Sequence, residues 1–341
     1  MEPVVTEQAS TWPAMRAVSR VAGGADGRYL PLVLTISLFV AVAIAGSIRY
    51  EHFLAPQVFL NLLIDNAFLC IVATGMTFVI LTGGIDLSVG AVLALTTMIS
   101  AQLVERKGLS PALVIPLVLA IGTLFGALQG FLVQRFRLQP FIVTLAGMFL
   151  MRGLCYLIST ESIAIKNPFY SWIAQVRVPL GVDASLSVNA IIAVVVVLAG
   201  VCLSQWTQFG RTVYAIGGNE LSARLMGLPV DSTVVGVYML SGFCASLAGV
   251  VVTFYMLSGY SLHAVGLELD AIAAVVIGGT LLRGGVGYVF GTLVGVLILG
   301  LIQTLIVFQG TLSSWWTRIA VGVLLFLFCL LQRFFETRRR A

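Results

Sequence analysis

Polar and charged residues crowd into short intervals along this chain, and long apolar runs separate them. At roughly 20 residues per crossing, apolar stretches fall near 30–48, 57–81, 89–104, 111–134, 140–158, 190–204, 234–257, 269–282, 288–306 and 315–332. The pattern predicts an all-α, polytopic membrane protein of about ten transmembrane helices. The stretches at 89–104, 190–204 and 269–282 are short, as expected of tilted, broken or re-entrant segments. Two Gly-rich turns stand out: Leu81-Thr82-Gly83-Gly84-Ile85-Asp86-Leu87-Ser88-Val89-Gly90 and Ile277-Gly278-Gly279-Thr280-Leu281-Leu282-Arg283-Gly284-Gly285-Val286-Gly287. Each reverses the chain between two apolar runs. Their likeness predicts two related halves, as in many transporters.

Composition agrees. Hydrophobic residues make up 59% of the 341 and charged residues 10%, with a mean hydropathy of +1.06, far too little charge for a soluble domain of this length. Residues 1–29 show no cleavable signal pattern, holding Glu2, Glu7 and Asp26 beside Arg16, Arg20 and Arg28, so the first apolar segment is expected to stay as a helix. With the N-terminus inside, twelve arginines fall on the cytoplasmic pieces 1–29, 82–88, 135–139, 205–233, 283–287 and 333–341. Five basic residues (Arg49, Arg106, Lys107, Lys166 and Arg177) fall outside, and Arg152 and Arg318 lie within spans. That asymmetry predicts both termini inside, with 1–29 and the basic stretch 333–341 as cytoplasmic tails flanking a transmembrane domain over 30–332. It also accounts for the net charge of +5 with no nucleic-acid partner.

Two connections are long. The external piece 159–189 reads either as a plain connector or as a contact for an extracytoplasmic partner. The cytoplasmic segment 205–233 contains a short amphipathic helix. Asn219 is a good N-cap after Gly217-Gly218, Glu220 suits the first turn, Leu221 and Leu225 share a face, Gly227 caps the end and Pro229 stops it. Such a helix lies against its own bundle or fits a groove on a cytoplasmic partner.

Polar groups inside a membrane are costly and therefore informative. Asn61 and Asp65 are one helical turn apart, with Asn66 beside them. They suit hydrogen bonds to a hydroxyl-rich substrate along a pathway, and equally bonds to a neighbouring helix. Gln129, Gln303 and Thr304 read as interhelical bonds. Arg152 and Arg318 need a cavity, a partner or snorkelling, with structural pairing expected. In the first Gly-rich turn, Gly83 and Gly84 end one helix while Asp86 or Ser88 caps the next. The same residues also suit a partner-contact surface or a hinge. Glu268 and Asp270 stabilise a helix N-terminus or form an external dock. His52 and His263 are isolated, and Trp315, Trp316 and Tyr288 suit interfacial anchoring. The five cysteines lie singly in apolar runs, which predicts inert packing and no metal site. No cofactor and no catalytic set are expected.

The order of several motifs is specific. Gly83-Gly84-Ile85-Asp86-Leu87-Ser88-Val89-Gly90, then Phe209-Gly210-Arg211, Ala215-Ile216-Gly217-Gly218-Asn219, Ala223 to Gly227, Gly278-Gly279-Thr280 and Gly284-Gly285-Val286-Gly287 resemble the permease subunits of ribose-type ABC sugar importers, over essentially all of 30–332. Within that family, Asp65-Asn66-Ala67-Phe68-Leu69, Thr144 to Phe149, Glu268 to Ala273 and Gly310 to Thr317 look like a membrane subunit of the galactofuranose subtype. The resemblance implies a multi-pass protein of the bacterial inner membrane, working with a cytoplasmic ABC ATPase and an extracytoplasmic sugar-binding protein. It also implies a second homologous permease, hence a heterodimer. Asn219, Glu220, Leu221, Ala223, Arg224, Leu225, Met226 and Gly227 would form the helix coupling the membrane part to the ATPase.

The residues add one independent point. A phosphate-binding loop needs Gly-Lys-Ser/Thr, and the only lysines, Lys107 and Lys166, sit in no such context. ATP hydrolysis is thus assigned to a separate chain. The competing expectation is a self-sufficient secondary transporter or facilitator, although Asp65 alone lies well inside a span as a candidate ion relay.

Overall fold

The computed structural model describes residues 30–50, 53–179, 184–310 and 315–340; the tail 1–29 and His52 lie outside them. The described chain is helical. It runs α1 (Leu30–Arg49), α2 (Pro56–Asp65), α3 (Ala67–Leu81), α4 (Val89–Ala101, continued by a π-turn over Gln102–Arg106), α5 (Pro111–Phe136) and α6 (Pro140–Ile158). A connecting segment holds β1 (Ile163–Ala164), α7 (Pro168–Gln175), β2 (Arg177–Pro179) and β3 (Ser185–Ser187). Then follow α8 (Val188–Trp206), α9 (Gln208–Gly218), α10 (Glu220–Leu225), α11 (Val230–Met256), β4 (Ser258–Gly259), α12 (Leu267–Ile277), α13 (Val289–Gln309) and α14 (Trp315–Arg340).

Among the described residues, seven helices are long and apolar enough to cross a membrane, or eight counting a bent pair as one span. The expected run 57–81 is that pair: α2 and α3 meet at 60°. Asn66 accounts for the break. Its backbone and its Nδ2 both donate to the Leu62 carbonyl, the side chain at 2.9 Å, so it competes with the helical ladder. The stretch 190–204 is a full 19-residue helix. By contrast 269–282 is helical only through Ile277, because the chain unwinds at Gly278, packed against the backbone of Gly291. In the last stretch the apolar part spans Trp315–Phe328. The helix α14 carries on through Arg340, so residues 333–340 continue a helix instead of leaving it as a tail.

Helix α3 is the centre, buried at every residue except Phe68, with α8, α11, α12 and α13 around it. Helix α11 also lies close against α5, on Gly122, Gly126 and Gly130, three glycines at four-residue spacing. A Cβ on Gly126 would overlap the Tyr238 carbonyl oxygen, and one on Gly242 would overlap the carbonyl of Gly122. The two backbones touch because neither carries a side chain there, the usual basis of tight membrane helix pairs. Helices α1, α5, α6 and α8 turn apolar side chains outward, among them Ile44, Leu113, Leu157 and Leu198.

The loops segregate to two ends. Over the described residues 159–179 and 184–189 the connection is folded: β1 pairs with β4, β2 pairs with β3, and Tyr170 of α7 is buried against Phe254 of α11. At the opposite end, turn 82–84, the α5–α6 connection and α10 line one cavity.

Candidate functional site

That end of the bundle is built from the 205–233 segment upward. Thr207 caps α9, its Oγ1 accepting from the Gly210 N–H at 3.1 Å. The residues Phe209, Val213 and Ile216 then face inward at helical spacing. This helix was legible from that periodicity but hidden behind the more conspicuous Asn219 start. Asn219 caps α10, with Oδ1 accepting from the Ser222 N–H at 2.8 Å. Gly227 closes α10 at φ +76°, with Gly227 N–H donating to Arg224 O and Leu228 N–H to Ala223 O, the paired bonds of a left-handed helix terminus. Pro229 ends no helix; it is the N-cap of α11.

The helix so fixed presents a divided surface. Ala223 is fully buried, while Leu221, Leu225 and Met226 are 67%, 80% and 67% exposed. Arg224 bridges Glu220 at 2.9 Å and Asp231 at 2.7 Å, and Gln134 of α5 donates to the same Asp231 carboxylate. The pair to Glu220 lies within α10 and the pair to Asp231 holds α10 to α11, while Leu221, Leu225 and Met226 stay exposed.

Behind α10, three glycine pairs from distant parts of the sequence meet. The Gly285 N–H donates to Leu81 O at 2.9 Å. A Cβ on Gly217 would overlap both the Leu81 oxygen and the Gly285 nitrogen, and one on Gly284 would come within 2.7 Å of Gly83 N and Leu81 O. Gly83, Gly284 and Gly285 all adopt positive φ. The end of α9 therefore sits backbone to backbone on both Gly-rich turns. Beside this junction opens a cavity of about 580 Å³, whose walls include Gly83, Arg137, Glu220, Leu221, Arg224 and Tyr238.

Asp86 is buried deeper in the first turn, 1% exposed. Its Oδ1 accepts from the Ser88 N–H at 2.9 Å and the Ser88 hydroxyl at 2.7 Å, and its Oδ2 from Ser241 of α11 at 2.7 Å. Ser88 also lies 3.1 Å from the Gln129 side-chain carboxamide. Its single hydroxyl proton serves the carboxylate, so the Gln129 contact is satisfied when the carboxamide turns its N–H toward Ser88. Burial pushes the Asp86 carboxyl above its ordinary range, opposed by the bonds from Ser88 and Ser241. The turn is thus pinned to α5 and α11. Ser88 is the N-cap residue of α4 by position, yet its side chain makes no capping bond.

The remaining expected sites are dispersed. Asn61 and Asp65 lie on an exposed edge of α2, where Asn61 accepts from Gln57 at 2.8 Å and Asp65 from the Tyr255 hydroxyl at 3.1 Å. Asn66 turns the other way, into the bundle against Gly300, so it does not share their surface. Arg152 donates to the carbonyls of Ser261 and His263 at 2.6 and 2.9 Å, the structural pairing expected of it. Burial and this guanidinium lower the His263 imidazole below its ordinary pKa. Glu268 begins α12 deep in the molecule, its carboxylate against Gly90. Cys70, Cys155 and Cys244 are buried and unpaired and Cys202 is exposed. No metal-ligating cluster occurs among the described residues.

Residues 58–329 match the protein family described as the branched-chain amino acid transport system / permease component. The chain is 52% identical over 306 residues to an Escherichia coli protein named inner membrane ABC transporter permease protein YjfF, covering 90% of this chain and 92% of the relative. It is 40% identical to the fructose import permease protein FruG of Bifidobacterium longum, covering 90% and 92%. It is 39% identical to the ribose import permease protein RbsC of Haemophilus influenzae, covering 89% and 93%. No solved structure matches.

Proposed function

The chain belongs to the branched-chain amino acid transport system / permease component family, and on that premise we propose how it works as the membrane subunit of an ATP-driven monosaccharide importer. It is a permease component of the sugar ABC transporter type, a multi-pass inner-membrane protein, and a translocation subunit instead of an enzyme. The names of its relatives do not favour a self-sufficient, ion-coupled transporter.

The observation that carries the mechanism is α10. Its caps and ion pairs fix its orientation, and its apolar edge of Leu221, Leu225 and Met226 is exposed at the end of the bundle. A rigid helix with i, i+4 apolar anchors is suited to seat in a groove of a partner. In this reading the partner is the ABC ATPase, and α10 is the coupling helix. Closure of the ATPase pair would displace α10 and α9, and the Gly217 junction would pass the displacement to both Gly-rich turns. The two membrane subunits would then rock to expose the pathway alternately to each side. Asp86, Ser88, Gly83 and Gly84 serve in this reading as the anchored lever arm. The exposed Asn61 and Asp65 face the side available to substrate or to a second subunit.

The finer arrangement follows the same line. Ten spans are reached if α12 and α14 each count as a crossing, and the arginine-rich loops then lie inside with both termini. The unpartnered membrane surface is assigned to a second homologous permease in a heterodimer, and the folded external segment 159–189 to the sugar-binding protein. Galactofuranose is the first sugar to test, on the motif resemblance at Asp65–Leu69, Thr144–Phe149 and Glu268–Ala273, against the ribose and fructose of the relatives' names. The test is uptake by proteoliposomes holding the complex that copurifies with this chain. Uptake that needs both ATP and the binding protein supports the reading; uptake by this chain alone, driven by an ion gradient, contradicts it. Leu225→Glu should abolish ATP-dependent uptake without lowering the membrane level of the protein.

A further inference from the structure

A separate cavity of about 230 Å³ lies between α12, α13 and α14, lined by Asp270, Gln303, Ile306, Val307, Thr317, Arg318 and Val321. Its depth follows from packing along α4. Gly259 lies against Ala101 near the external end of α4, whereas Glu268 lies against Gly90 at the start of the same helix. The chain from Gly259 to Glu268 therefore descends along α4, and the first turn of α12, with Asp270, lies inside the bundle. Gln303 lies about two turns from the end of α13, and Arg318 stands in the first turn of α14 with its guanidinium over Gly266 and 5.8 Å from the Trp315 ring.

The four polar side chains do not satisfy one another. Asp270 and Arg318 share the cavity, yet the ion pairs found among the described residues are those of Arg224. No hydrogen bond joins Asp270, Gln303, Thr317 and Arg318 to each other. Asp270 is half-buried while Gln303 and Arg318 are exposed, so the carboxylate and the guanidinium face each other across an open gap that a small polar molecule can enter. The apolar wall of Ile306, Val307 and Val321 gives the site a second character, and its volume is below the roughly 300–1,000 Å³ of pockets for drug-sized ligands. A compact polyol with one apolar face matches both features. Its hydroxyls donate to Asp270 and accept from Arg318, Gln303 and Thr317.

We propose that this cavity is a transient hydroxyl-binding subsite for the transported monosaccharide, within this subunit's part of the pathway. The inference rests on the sugar-importer reading, and its test separates the two. The complex isolated with this chain is reconstituted in proteoliposomes with its binding protein and ATP, and offered radiolabelled D-ribose, D-fructose or D-galactose, the last containing the furanose form in solution. Asp270→Asn and Arg318→Gln should each lower uptake of the sugar that the wild type accumulates about tenfold, as expected for losing a hydrogen bond to a charged group. ATP hydrolysis stimulated by loaded binding protein should stay within about twofold of wild type, a difference well under 1 kcal/mol. Gln303→Leu and Thr317→Val should give smaller losses and alter the preference among the three sugars.

Wild-type uptake in Asp270→Asn together with Gln303→Leu overturns the subsite. So does recovery of uptake when the charges are exchanged as Asp270→Arg with Arg318→Asp, because that marks a structural pair linked by water. If the charge variants do not reach the membrane, unaltered uptake and preference in Gln303→Leu and Thr317→Val overturn it on their own. A wild type that accumulates none of the three sugars overturns the importer reading, and the subsite falls with it.

Discussion

The two Gly-rich turns use the same backbone device and are held by different chemistry. Counting from Gly83 and from Gly284, both at positive φ, the first runs Gly-Gly-Ile-Asp and the second Gly-Gly-Val-Gly. Where the first places Asp86, the second places Gly287. The first is therefore pinned through a side chain, with one buried carboxylate gathering Ser88 and Ser241. The second is pinned through its backbone, by the Gly285 bond to Leu81 and by contact with Gly217. A carboxylate anchor tolerates a conservative amide replacement, whereas a backbone anchor tolerates no added atom. The end of α9 touches both turns, at Leu81 of the first and Gly285 of the second, so the tight backbone joint lies where displacement of α10 would enter the membrane part.

The largest expected effect attacks the backbone joint. Gly217→Ala puts a methyl group on Leu81 O and Gly285 N, and should cost about 3 kcal/mol or more as overpacking without room to relax. Its neighbour Gly218 has nothing within 4 Å of an added Cβ, so Gly218→Ala should leave the melting temperature in detergent nearly unchanged. If the two variants melt alike, the junction is not a tight contact.

Next is the carboxylate anchor. Asp86→Ala strips the acceptor from the Ser88 N–H and two buried hydroxyls, a loss of roughly 2–4 kcal/mol, read as lowered membrane level and melting temperature. Asp86→Asn keeps an acceptor and should lose about 1 kcal/mol. Normal level with lost transport in Asp86→Ala would instead make the turn a partner contact or hinge. A third comparison matches positions in the two turns. Gly83→Ala and Gly284→Ala both carry the strain of positive φ, about 1–2 kcal/mol, but only Gly284→Ala also meets backbone atoms at 2.7 Å. Gly284→Ala should therefore be the less stable.

The smallest effect is a pH slope. Burial raises the Asp86 carboxyl, so the folded protein keeps a proton that the unfolded chain has released. The stabilisation is fully present below the unfolded pKa and is lost as pH rises through the folded one. Melting temperature measured upward from acidic pH should fall more in wild type than in Asp86→Asn. Equal slopes would assign the acid dependence to other groups.

Local signals carried much of this into the sequence. The start of α10 at Asn219 and its glycine terminus at Gly227 were legible because side-chain and glycine caps depend only on neighbours, whereas Pro229 begins the next helix instead of ending this one. The Gly-rich turns were legible for the same reason. That Gly217, Leu81 and Gly285 meet was not, since a backbone contact between glycines leaves no side-chain pattern. The break at Asn66 was hidden because the apolar run continues through it, whereas the helix stop after Ile277 is where the second Gly-rich turn begins. Asn61, Asp65 and Asn66 looked like one cluster; the 60° bend sends Asn66 to the opposite side.

The central claim is that α10 couples this chain to a separate ATPase. The most direct measurement is to tag the chain, solubilise the membranes gently and identify by mass spectrometry what copurifies with wild type and with Leu225→Glu. The account predicts an ABC ATPase and a second permease with the wild type, and loss of the ATPase alone with the variant. Recovery of the chain by itself, from an extract in which a control complex stays intact, would contradict it, as would an ATPase held equally well by both.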